Sequence, residues 1–361
     1  MSRAQAFSPD YATARHRFRQ AASGAGWSLE AHPIGVAGPT GEELTIDVAC
    51  SPAHRADKTL IVSSGIHGVE GYFGSAVQLA LLEAWIPRSA PPVRCLFLHG
   101  LNPFGFAWIR RFDEQNVDPN RNFLLAGERY EGSPARYASL DGLLNPKCPP
   151  AWWQPFTLEA LWAVARHGMP ALRQAVAAGQ YDFPHGLFFG GTGPSRTHRL
   201  LEENLARWLQ GTRDVVHLDF HTGLGPKGAC TLLIDSPLSK RQRSWLTEWF
   251  GPDSFESSDS RSIAYDIRGG LGRWCVSGNF APDYLFACAE YGTYGPIQVL
   301  AGLRAENQAH HWGTAAAAST VRAKHRLMEL FCPSAQAWRL QVLDHGLNLA
   351  ARAVRGLAAS F

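Results

Sequence analysis

The sequence predicts an α/β fold, a three-layer sandwich whose mixed, largely parallel central sheet is flanked by helices. Two observations carry this. Short β-type runs alternate with helical ones from residue 44 to residue 100, the order that lays helices over a sheet. Further strand-like runs return at 215–220, 229–235 and 284–290, so a single sheet draws on most of the chain. With 361 residues and 45% hydrophobic content the chain can bury a substantial core.

The elements follow in order. Ser8-Pro9-Asp10 supplies a cap and a proline where a helix start tolerates one, and the helix should stop near Gly24 as a surface element. LTIDVAC (44–50), TLIVSSG (59–65) and VRCLFLHG (93–100) read as strands, with the helical run GYFGSAVQLALLEAW (71–85) between the last two. Residues 124–195 are rich in Gly, Pro and Trp and hold two helical stretches, 157–168 and 169–180, within long loops. Such an insertion commonly shapes a binding mouth. A polar helix at 195–211 precedes the strands VVHLDF (215–220), ACTLLID (229–235) and YLFACAE (284–290). From Pro296 onward the chain reads as helices rich in Ala, Leu and Arg, broken at Pro333. No repeat or low-complexity linker divides it, so residues 1–361 are expected to form one domain.

Composition narrows the function. Charged residues make up 18% of the chain, the formal net charge is +3, and the charges are scattered, which is not the balance of a nucleic-acid-binding protein. The first twenty residues lack an apolar core of signal-peptide length, and no run of about 18 apolar residues occurs, so a soluble, cytoplasmic protein without a membrane partner is expected. Seven cysteines, widely spaced and without a Cys-x-x-Cys pair, suggest neither a disulfide framework nor a thiolate zinc cluster. Those in apolar runs, such as Cys95 and Cys288, read as reduced core residues.

The chemistry concentrates at a strand-to-helix turn. TLIVSSG runs into Ile66-His67-Gly68-Val69-Glu70-Gly71, and a His and a Glu three residues apart on such a turn can converge on one metal at the carboxyl edge of the sheet. Gly65, Gly68 and Gly71 permit the tight backbone this needs. A catalytic zinc takes three nitrogen and carboxylate ligands and leaves one position open, so a further ligand must come from elsewhere. In VVHLDFHTG, strand alternation puts His217, Asp219 and His221 on one face, with His221 at the strand's end, where a ligand belongs. Asp219 or His217 could orient that ligand or hold a second metal.

Residues 101–123, LNPFGFAWIRRFDEQNVDPNRNF, make the pattern specific. With His67-x-x-Glu70 they present Asn-Pro-x-Gly and Asp-x-Asn-Arg-Asn in the order seen in the carboxypeptidase A superfamily of zinc carboxypeptidases, which this chain resembles. A strand-end histidine in His217-Leu218-Asp219-Phe220-His221-Thr222-Gly223 and an acidic residue in Ala289-Glu290-Tyr291-Gly292 complete the order. The phrases HTGLGP, EYGTYGP and GLFFGG are most similar to an uncharacterised, carboxypeptidase-like bacterial branch.

The resemblance implies that His67, Glu70 and His221 ligate Zn2+ and that Glu290 is the general base acting on water. It implies that one of Arg110 and Arg111 stabilises the oxyanion, that Asn120 and Arg121 grip a substrate carboxylate, and that Asp118 holds the first histidine from behind. Those roles are chemically coherent: zinc acidifies water, a carboxylate shuttles its proton, and a guanidinium meets a carboxylate with two parallel hydrogen bonds. The expected activity is hydrolysis of an amide beside a free carboxylate, in a small peptide or an N-acyl amino acid.

Two departures from the digestive carboxypeptidases stand out. Tyr265 is the candidate for their mobile tyrosine, yet no motif surrounds it, and the insertion at 124–195 has no counterpart there. Ser195, Arg196 and His198 could contact substrate, although a helix start explains them as well. Among rivals, Gly223-x-Gly225-x-x-Gly228 fits a dinucleotide fingerprint, but Pro226 lies inside it and a strand follows where a helix should open. There is no Gly-x-Ser-x-Gly, no phosphate loop and no His-Glu-x-x-His. The remaining alternatives are a deacylase resembling aspartoacylase and succinylglutamate desuccinylase, and a catalytically silent binding protein on the same scaffold.

Overall fold

The computed structural model describes residues 3–52, 57–85, 91–151, 153–168, 172, 174, 176–257 and 267–360; Tyr265 lies outside them. Eight strands form one sheet: β1 (Ser28–Ala37), β2 (Glu43–Cys50), β3 (Lys58–Ser64), β4 (Arg94–His99), β5 (Asp214–Lys227), β6 (Cys230–Ile234), β7 (Phe255–Ser257) and β8 (Asp283–Gly292). Their order is β1-β2-β4-β3-β5-β8-β6-β7. The central pairs β4/β3, β3/β5 and β5/β8 are parallel, as is β6/β7 at one edge, while β1/β2, β2/β4 and β6/β8 are antiparallel. This is the mixed, helix-flanked sheet that the alternating pattern predicts.

The central strands are apolar because both faces are covered. On β5 the side chains alternate. Phe220 meets Phe73 of the helix Gly71–Trp85 and Gly346 of the helix Gln336–Ala359, on one side of the sheet. His217 points the other way, its ring packed edge-on against Phe286 of β8 at 4.6 Å. That second side is closed by the helices Arg196–Trp208 and Leu271–Ser277, joined through Phe123, His198 and Trp274. The first helix, Tyr11–Gly24, capped by Asp10, is more than a surface element. It buries Tyr11, Ala14, Phe18 and Ala22, and the Tyr11 hydroxyl donates to Thr45 O of β2 at 2.8 Å.

Residues 124–195 contribute the helices Tyr137–Leu144 and Phe156–His167. Tyr137, Leu140 and Leu144 of the first join a second core with Leu303 of the helix Pro296–Trp312 and Leu327, Leu330 and Phe331 of the helix Ala318–Phe331, while the second buries Phe156, Ala160 and Ala163, with Arg304 of the helix Pro296–Trp312 over the Phe156 ring. Among the described residues no helix is long and apolar enough to cross a membrane.

Two buried imidazoles tie stability to pH. His99 stacks on Phe18 at 4.4 Å and His217 lies between Ser63 and Tyr284; burial pushes each down to about 4. The unfolded chain takes up these protons near pH 6.5 and the folded one does not, so stability is lost as pH falls from about 6.5 towards 4. Keeping each ring neutral over that interval costs on the order of 3 kcal/mol per residue at the acid end. Denaturation midpoints between pH 7.5 and 4.5 should show this slope, reduced in His99→Gln; a flat profile would contradict it.

Candidate metal centre

The carboxyl ends of the parallel strands build the site. β3 ends at Ser64, and Gly65, at φ 69, turns the chain into His67, the single 3-10 turn Gly68–Glu70 and the helix from Gly71. Gly68 has no room for a side chain, because a Cβ there would lie 2.1 Å from the backbone of Gly105. That contact accounts for Asn-Pro-x-Gly. Asn102 caps the short helix Pro103–Ala107 by accepting from Gly105 N, and its amide donates to Arg111 O. Gly68 N and Val69 N then donate to the carbonyls of Arg111 and Arg110. The two motifs are locked together through their backbones.

His67, Glu70 and His221 converge, with one ligand atom of each within 4.8 Å of the others. The two histidines are arranged alike. Nδ1 of His67 lies 3.0 Å from one Glu70 oxygen, and Nδ1 of His221 lies 3.1 Å from the other. Each Nε2 faces an aspartate, Asp118 at 3.2 Å for His67 and Asp219 at 2.6 Å for His221. A proton held on Nε2 by these carboxylates would leave each Nδ1 lone pair for a metal. Asp118, Asp219 and Glu70 are all fully or almost fully buried.

Burial alone would raise Glu70, but His67 and the His221 hydrogen bond outweigh it and hold the carboxyl well below its usual range. Burial likewise opposes ionisation of Asp118, and Arg111 and His67 override it. Two imidazoles and a carboxylate, backed by further carboxylates and open to a cavity, suit a zinc ion with one position left for water.

Glu290 stands on β8 directly beside His221 in the parallel register. One of its oxygens accepts from Leu224 N at 2.7 Å, and the other faces Cys288 Sγ at 3.9 Å. Burial, then the charge of Glu70, pushes it up to about 7. A carboxyl that titrates near neutrality is suited to accepting and returning a proton.

A family model described as "Protein of unknown function (DUF2817)" matches residues 7–345. The chain belongs to that family. No curated protein matches it. Among solved structures, bovine thrombin-activatable fibrinolysis inhibitor in complex with tick carboxypeptidase inhibitor is similar at 11% identity and a TM-score of 0.49, over 96% of each chain. Murein-tripeptide amidase MpaA from Escherichia coli O157 is 18% identical over 82% of this chain and 92% of that one, with a TM-score of 0.36. Succinylglutamate desuccinylase from Chromobacterium violaceum is 15% identical over 91% and 75%, with a TM-score of 0.39.

The two arginines that the sequence leaves open are separated by the fold. Ile109, at φ 52, sits in the left-handed region that a β-branched residue rarely adopts, and the chain turns there. Arg110 is completely buried away from the cavity, donating to Glu306 at 2.9 Å and to Asn116 and Asn307. Arg111 lines the cavity, where its Nε donates to Asp118 at 2.9 Å and its Nη2 lies 2.7 Å from His67 Nε2. The geometry therefore does not support a catalytic Arg110, whose guanidinium is given over to an internal ion pair.

Asn120 and Arg121 also reach the cavity. Asn120 Oδ1 accepts from Leu271 N at 2.9 Å. Arg121 donates through Nε and Nη2 to Ala177 O and through Nη1 to its neighbour's carbonyl, three of the five N–H groups of a guanidinium. Phe188 of GLFFGG lies beneath both arginines, its ring 5.3 Å from the Arg111 guanidinium and 5.8 Å from that of Arg121. It holds a φ of 58, a strained conformation for a bulky residue and one typical of a functional site.

Other sequence candidates fall elsewhere. Both ring nitrogens of His217 are engaged, by Ser63 and Tyr284, which leaves none for a second metal. Ser195 caps the helix Arg196–Trp208, Arg196 pairs with Glu114, and His198 bonds Asn122 O, so these three serve a helix start. Cys288, read from sequence as core, lines the cavity and joins His221 and Glu290 in a second cluster of possible ligand atoms. Its two-residue spacing from Glu290 was the available signal.

Proposed function

We propose that this protein is a zinc-dependent hydrolase that cleaves an amide next to a free carboxylate, in the manner of a carboxypeptidase. One observation carries the reading: Nδ1 of His67 and Nδ1 of His221 both address the Glu70 carboxylate, in the same cavity as Glu290, Arg111 and Arg121. His67, Glu70 and His221 would hold the ion. When bound, zinc supplies Lewis acidity, which polarises a carbonyl and lets water lose a proton near neutral pH.

The chain's own groups account for the rest. Arg121 and Asn120 bind the substrate carboxylate and set the scissile bond between Glu290 and the histidines. Glu290 takes the water's proton and returns it to the leaving nitrogen. If His67 gave its Nδ1 lone pair to the metal, the ring proton would sit on Nε2 towards Asp118. That ring nitrogen then no longer accepts from Arg111, and the Arg111 Nη2–H can turn to the developing oxyanion.

Purified, zinc-supplemented protein is expected to hydrolyse either C-terminal peptides or N-acyl amino acids, and the pattern of turnover separates carboxypeptidase from deacylase. Zinc-loaded protein inert on both panels would favour the silent binding scaffold.

A further inference from the structure

The cavity at the candidate metal centre is far larger than the chemistry beside it requires. It encloses about 740 Å3, within the range of sites that bury a drug-sized ligand. Beside the polar groups of His67, Glu70, Arg111, Asn120, Arg121 and Glu290, its lining has a wall of apolar side chains that includes Leu140, Leu144, Phe156, Ala160, Val176 and Leu303, and Lys227, Glu256 and Gln298 also line it. Most of that wall is built by residues 124–195, and it is held in place. Arg304 donates to Leu143 O at 2.8 Å, lies 5.0 Å from the Phe156 ring and bonds Gln154, which fixes both insertion helices to the helix Pro296–Trp312. Water in such a lobe finds few hydrogen-bond partners, so displacing it with an apolar group is favourable.

The polar groups and the apolar wall are continuous. Phe188 belongs to the apolar core of the insertion and at the same time underlies the guanidiniums of Arg111 and Arg121. A ligand whose carboxylate meets Arg121 therefore has the apolar lobe within reach of its other substituents.

We propose that the substrates are amides bearing a free carboxylate and one bulky apolar group, and that residues 124–195 select them by enclosing that group in the lobe. The inference rests on the hydrolase reading for the word substrate, but the lobe's preference for a bulky apolar carboxylate is a property of the chain alone. The apolar group could belong to an acyl chain or to the side chain of a terminal residue, and two ligand series distinguish these.

Calorimetric titration of the full-length Glu290→Gln protein with N-acetyl-, N-hexanoyl- and N-decanoylglycine tests the acyl source. Titration with Gly-Ala, Gly-Leu and Gly-Phe tests the side-chain source. In the series that matches, Kd should tighten by about fourfold for each added methylene equivalent until the lobe is filled. Ala160→Phe and Ala163→Phe, which fill the lobe from the helix Phe156–His167, should abolish that gain while leaving the Kd of the shortest ligand unchanged, which also shows that each variant is folded. Flat affinity along both series would overturn the inference, as would lobe-filling variants that weaken short and long ligands alike. Size-dependent binding without hydrolysis of any member by the wild-type protein would uphold the lobe and overturn the hydrolase reading.

Discussion

Glu290→Gln is expected to slow hydrolysis by more than about a hundredfold while leaving bound metal at the wild-type level. Glutamine keeps the shape of the side chain, and its carbonyl oxygen can still accept from Leu224 N, the bond that positions Glu290 in the native chain. It cannot accept and return a proton. Metal content discriminates between two roles, because Glu290 lies outside the His67, Glu70 and His221 set but within the second cluster formed with His221 and Cys288. Metal lost in proportion to activity would make Glu290 a ligand instead of the base.

Arg111→Ala should lower kcat by about a hundredfold to a thousandfold, the usual cost of losing one preorganised oxyanion donor. Arg111→Lys should recover little of it, since an ammonium cannot hold Asp118 and also present a second N–H to the cavity as a planar guanidinium does. Arg110→Ala is the contrasting case. Its partner Glu306 is fully buried, so the loss should appear as about 3–5 kcal/mol of stability in chemical denaturation. Lys324, 3.0 Å from the same Glu306 oxygen, offsets part of that charge. A kcat collapse in a stably folded Arg110→Ala, with Arg111→Ala near normal, would reverse the assignment of the two arginines.

Why the sequence separates some of these features and not others follows from how local each one is. The His67-x-x-Glu70 turn and the strand-end His221 are set by neighbours within a few residues, by glycines at 65 and 68 and by strand alternation, and the structure brings them together. Asp118, Asn120 and Arg121 share one 3-10 turn, Pro119–Arg121, with Asp118 as its cap. The choice between Arg110 and Arg111 depends on the turn at Ile109 and on Glu306, almost two hundred residues away, and no local pattern encodes it.

β1 shows no apolar run in the sequence because it is an edge strand interrupted by Pro33 with only Ile34 fully buried. β7 has three residues, too few for a period. Cys288 is hidden by its setting in LFACAE, where an apolar neighbourhood reads as core although alternation from Glu290 puts it on the cavity side. The apolar lobe is the least local feature of all. Its wall forms where the helices Tyr137–Leu144 and Phe156–His167 meet the helix Pro296–Trp312, and composition alone shows an insertion without showing what it encloses.

Elemental analysis of the purified protein tests the central claim most directly. About one zinc per chain is expected, falling to background in His67→Ala and in His221→Ala while both variants remain folded by circular dichroism. A protein that takes up no metal when supplied with zinc, or one whose metal survives both substitutions, would contradict the assignment of His67, Glu70 and His221 as a metal centre.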